Sequence, residues 1–105
     1  MSDRAGSLDR LAGRLLVEAR VLDGVADTIE PLIGQVRGAW EGPAADRLVS
    51  ELAERRRELG TLAAGLRSLA ERYSEDARRI RAAQVAALAP ANPDPIPSAG
   101  GISSW

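Results

Sequence analysis

The chain has 105 residues, enough for one domain, and so short a chain buries only a modest share of its surface unless a partner covers its apolar face. Hydrophobic residues make up 45% and aromatic residues 3%, which excludes a disordered chain and leaves leucine and alanine to build the core. A net charge of -1 gives no field to hold a nucleic-acid backbone or an anionic membrane, and the absence of Cys and His removes disulfides, thiol chemistry, imidazole metal sites and the usual general base.

Ser7 or Asp9 is placed to cap a first helix. From there Leu8, Leu11, Leu15, Leu22, Val25, Ile29, Leu32 and Val36 recur at heptad spacing, as positions a and d, with Glu18 as the exception. The pattern predicts a helix over about 7–38. Pro31 lies inside it and predicts either one bent helix, the main reading, or a split near Ile29 and Glu30, since it removes an N–H and crowds the preceding turn. Charges at Asp3, Arg4, Asp9, Arg10, Arg14 and Glu18 interrupt any signal-peptide core, so export would need a route other than the general secretory one. No stretch approaches ~18 uncharged apolar residues, as a membrane-spanning helix requires.

Gly38-Ala39-Trp40-Glu41-Gly42-Pro43 then reads as a chain reversal, with the turn at 39–43. Gly42 suits a left-handed backbone and Pro43 the first position of a new helix. A second helix over about 44–88 follows from Ala45, Leu48, Leu52, Leu59, Leu62, Leu66, Leu69, Tyr73, Ile80 and Ala83 at a and d, with Arg55 and Asp76 as exceptions. Pro90, Pro93, Pro95, Pro97, Gly100 and Gly101 predict a flexible tail over 89–105, ending in Trp105. The expected fold is all-α, a long antiparallel helical hairpin over 1–88 that pairs into a four-helix bundle as a dimer.

Two features suggest the partner surface. The e positions carry Ala12, Ala19, Ala26 and Ile33, then Val49, Ala63, Ala70 and Ala77, so the apolar stripe is wider than a two-helix seam needs; alanine also simply favours helix. With Leu16, Val17 and Val21 off the seam, the expected partner interface comprises Leu15, Leu16, Val21, Ile33, Val49, Ala63 and Ala70. Folding back at Glu41 leaves Asp76 to Leu88 projecting beyond the first helix, either as a frayed end or as a docking overhang carrying Ile80, Val85 and Leu88. The carboxylates sit among arginines, and no catalytic, metal or cofactor site is expected.

Trp40-Glu41-Gly42 in the reversal of a helical hairpin, with Ala44 and Ala45 directly after it, resembles the WXG family of ESAT-like proteins over roughly Leu8 to Leu88. The resemblance implies a small substrate or effector partner of type VII (ESX) secretion, which pairs as a homodimer or heterodimer with another WXG-type chain or a larger effector. Trp40 and Gly42 would then form the turn and export motif. The family's export signal, a Tyr followed four residues later by an acid, is met here only in degenerate form: Tyr73 is followed by Asp76, with Ala77 at the fourth position. The alternative is a cytoplasmic helical adaptor or antitoxin-like binding module, for which the same heptads would serve.

Overall fold

The computed structural model describes residues 3–88, so the expected tail over 89–105, Trp105 included, lies outside the described residues. Two α-helices, α1 (Arg4–Ala39) and α2 (Pro43–Leu88), make up the hairpin, and no strand occurs among the described residues. This is the all-α antiparallel architecture that the heptads predict.

The first helix starts earlier than Ser7. Asp3 is its cap: the Gly6 N–H donates to Asp3 Oδ1 at 2.9 Å, satisfying a donor that the first turn leaves free, and the Ser7 N–H makes the first helical bond to the Asp3 carbonyl at 2.9 Å. Gly6 makes room for that cap, because a Cβ there would run into the Asp3 carboxylate. The helix then runs through Pro31 as one element, with the proline exposed. It ends at Trp40, whose backbone is extended and whose N–H donates to the Val36 carbonyl at 2.9 Å. Gly42 has φ +102°, the left-handed region that its lack of a Cβ permits, and Pro43 opens α2.

Three ion pairs report how the helices lie together: Asp9 with Arg81, Asp23 with Arg67, and Glu30 with Arg56. From Asp9 to Asp23 the first helix advances fourteen residues while the partner retreats by the same number, from Arg81 to Arg67, as antiparallel neighbours must. That register sets Ala12, Ala19 and Ala26 alongside Ala77, Ala70 and Ala63, and all six are buried.

The seam is therefore not the a and d series. On α1 it reads Ala5, Leu8, Ala12, Leu15, Ala19, Leu22, Ala26, Ile29, Ile33 and Val36, an unbroken alternation of three- and four-residue steps in which every member is buried or half-buried. On α2 it reads Ala45, Val49, Leu52, Arg56, Leu59, Ala63, Leu66, Ala70, Tyr73, Ala77 and Ile80, with Arg56 alone exposed. In heptad terms the seam is a and e, and the d residues lie at its edge or turn away, with Leu48 and Leu69 half-buried and Leu11, Val25, Leu32 and Leu62 exposed. Alanine at the contact brings the axes toward the low end of the roughly 8–10 Å range for packed helices, and burying it costs no side-chain entropy.

Two expectations are corrected by this register. Ile33, Ala63 and Ala70, expected at a partner interface, are covered by the opposite helix of the same chain, and Leu15 and Val49 are half-buried in the same seam. The overhang is also shorter than Asp76 to Leu88. Ala77 is fully buried, Ile80 is half-buried and Arg81 reaches Asp9, so the exposed end begins at residue 82. The difference arises because α1 begins at Arg4 and because the extended backbone at Trp40 carries the chain on before α2 begins, moving the fold-back centre from Glu41 to near residues 44 and 45.

Candidate interaction surface

With a and e facing inward, the hairpin has two unlike flanks. One carries the b positions, where Asp9 and Asp23 on α1 reach Arg81 and Arg67 on α2, with Glu30 bonded to Arg56 further along. In an antiparallel helix pair, equivalent positions fall on the same side, so the d positions of both helices share the opposite flank. There the large apolar side chains are exposed: Leu11, Val25 and Leu32 on α1 and Leu62 on α2, Leu62 with 55% of its surface open. Val17 and Val21 extend this surface around the outside of α1. An exposed apolar strip bordered by charges is the form that a helix-packing surface takes.

Of the expected interface residues, Val21 lies beside this strip, whereas Leu16 is exposed on the ion-paired flank. The four residues that make up the strip's core, Leu11, Val25, Leu32 and Leu62, are ones that an a and d pattern places in the seam. The sequence itself carries a signal for the other seam. Glu18, Arg55 and Asp76, the three charged exceptions, all fall at d, whereas the a and e series is interrupted only by Arg56.

Trp40 stands at the tip of the hairpin with 59% of its surface exposed, so the turn holds its backbone and leaves the indole open. Gly42 lies two residues on, with nothing within 4 Å of where a Cβ would stand; its role is conformational.

Tyr73 occupies a seam position and is half-buried, as its heptad place predicts. The fourth residue after it, Ala77, is wholly buried against α1, a place where a carboxylate would lack water. Asp76 instead turns outward, 3.7 Å from Arg79. Next to it, Arg78 holds the Glu75 carboxyl below its ordinary range by a hydrogen bond and by its charge, and Arg79 adds to the effect while desolvation opposes it. These are surface ion pairs on a solvated helix.

At the far end of α2, residues 82–88 are exposed throughout, with Val85 at 68% and Leu88 at 85%. Among the described residues, no helix is long and apolar enough to cross a membrane. No family model matches this chain, and neither the curated proteins nor the solved structures contain a match to it.

Proposed function

We propose that this hairpin is a WXG-type, ESAT-like substrate or effector partner of a type VII secretion system, acting by helical dimerisation and without catalysis. The observation that carries the proposal is the exposed Trp40 within Trp40-Glu41-Gly42, at the reversal between two long helices. Its backbone ends α1 while most of the residue stays exposed, which leaves the side chain open to be read by another protein. The apolar flank of Leu11, Val25, Leu32 and Leu62 supplies the surface for a helical partner. Since Ala77 is locked in the seam, the tyrosine-plus-acid export signal is assigned to the partner chain.

The test is Trp40→Ala, assayed for helix content and for appearance outside a cell that carries the secretion system. Export should fall with the helix signal unchanged. Unaltered export of the variant would remove the tryptophan from the reading. Retention of the wild-type chain inside the cell, still bound to a helical partner, would favour the adaptor or antitoxin-like alternative.

A further inference from the structure

The outward flank of α2 has an order that the hairpin itself does not use. Along it, at steps of three and four, stand Glu51, Arg55, Glu58, Leu62, Gly65, Leu69, Arg72, Asp76 and Arg79, all exposed except the half-buried Leu69. Counted outward from Gly65, each residue on one side has its complement on the other. Leu62, three before, answers Leu69, four after; Glu58 and Arg72 are each seven away. Arg55, ten before, answers Asp76, eleven after, and Glu51 and Arg79 are each fourteen away. The charge order is thus inverted about a small, uncharged centre.

A helix with this order complements a second copy of itself laid antiparallel across it. Every acid then meets a base, leucine meets leucine, and the two-fold axis passes at Gly65. Laid parallel, each charge would meet its own kind. We infer that the chain forms a symmetric homodimer in which α2 lies antiparallel on the α2 of a second copy, crossing at Gly65. The inference deepens the helical pairing proposed above and rests on it by naming the partner as a second copy.

Gly65 supports the same geometry independently of charge. A residue on a two-fold axis faces its own copy, so a bulky side chain there holds the helices apart. Glycine is the least favourable residue in a helix interior after proline, and nothing lies within 4 Å of where its Cβ would stand, so packing within the hairpin does not require it. In the hairpin register Val25 and Val21 of α1 lie level with Gly65 and Leu69, which widens the uncharged centre across both helices. The present partners of these charges, Arg55 with Glu58 at 3.1 Å and Arg79 with Asp76 at 3.7 Å, are exposed pairs that exchange readily.

Two double variants test the inference. Glu51→Arg with Glu58→Arg makes positions 51, 58, 72 and 79 all positive, and Arg72→Glu with Arg79→Glu makes the same four all negative, the Arg55 and Asp76 pair being left as it is. By sedimentation equilibrium the wild-type chain should be dimeric at tens of micromolar, and each double variant alone should dissociate at least about tenfold more readily. Mixed in equal amounts the two variants should recover a dimer, shown by native mass spectrometry to contain one copy of each. Gly65→Leu should weaken the wild-type dimer with its far-UV helix signal intact. A monomeric wild type, double variants that dimerise as tightly as wild type, or a mixture that stays monomeric would each overturn the inference. A monomeric chain that binds a sister hairpin would overturn self-pairing while leaving the secretion reading standing. A dimer of the stated behaviour that is never exported would do the reverse.

Discussion

Near the open end of the hairpin the helices meet through alanine, with Ala12, Ala19 and Ala26 against Ala77, Ala70 and Ala63. Nearer the turn the same seam positions carry Ile29, Ile33 and Val36 on α1 and Leu52, Arg56 and Leu59 on α2. The first region depends on closeness of approach, because alanine removes little apolar surface of its own and leaves the leucines and Tyr73 beside it to close over the contact. The second depends on side-chain volume, and it admits a charge, Arg56, which reaches outward to Glu30. Even the largest side chains here are not completely enclosed: Ile29 and Ile33 remain 8% and 6% exposed. The two regions should therefore fail in opposite ways, one when something is added and the other when something is removed.

The most severe test ignores the distinction. Leu66→Asp places a carboxylate in the seam beside the alanines, and Leu59→Asp does so in the bulkier region; each should cost several kcal/mol and unfold or dissociate the protein. Leu15→Asp and Leu22→Asp should behave alike. Wild-type melting in all four would mean that the seam is elsewhere.

Next in size, Ile29→Ala should lose about 2–4 kcal/mol by leaving a void, read as a lowered urea midpoint at fixed protein concentration. Ala70→Leu should cost about 1–3 kcal/mol by forcing the helices apart, although it adds apolar surface. If Ala70→Leu stabilised the protein, close approach would not govern the open end and the comparison would fail. Smallest is the loss of an ion pair on the polar flank: Asp23→Ala should change stability by no more than ~1 kcal/mol, and less at high salt, since both partners are well exposed.

The architecture was legible in the sequence because length, caps and turn chemistry act locally. Gly42 and Pro43 mark the reversal by backbone requirements that no distant contact can override, and helix-forming periodicity carries on either side. Which face of each helix turns inward was less legible. A stripe at a, d and e contains two equally good seams, one through a and d and one through a and e, and leucine at d outweighs alanine at e on any hydrophobicity scale. The decision lies between the chains of side groups, where a pair of alanines allows an approach that a pair of leucines does not. The charges at Glu18, Arg55 and Asp76 carried that decision in the sequence, because a seam tolerates a charge far less readily than it tolerates a small residue. The mirrored charges about Gly65 were likewise present, yet they become meaningful only once d and g are known to face outward.

Both helix ends, at Arg4 and Leu88, lie at the same end of the rod, which determines how it yields to force. A pull on the chain beyond Leu88, with α1 held, loads the seam as a zipper rather than in shear. The bare turns of residues 82–88 come away first, then the Asp9–Arg81 clasp, then the alanine layers one at a time, and the isoleucine region beside the turn last. Resistance at any moment is that of one layer, whereas the equilibrium stability is that of all of them together. The hairpin is thus easily peeled from its open end by a machine that grips the C-terminal side, and far harder to open by one that grips Trp40.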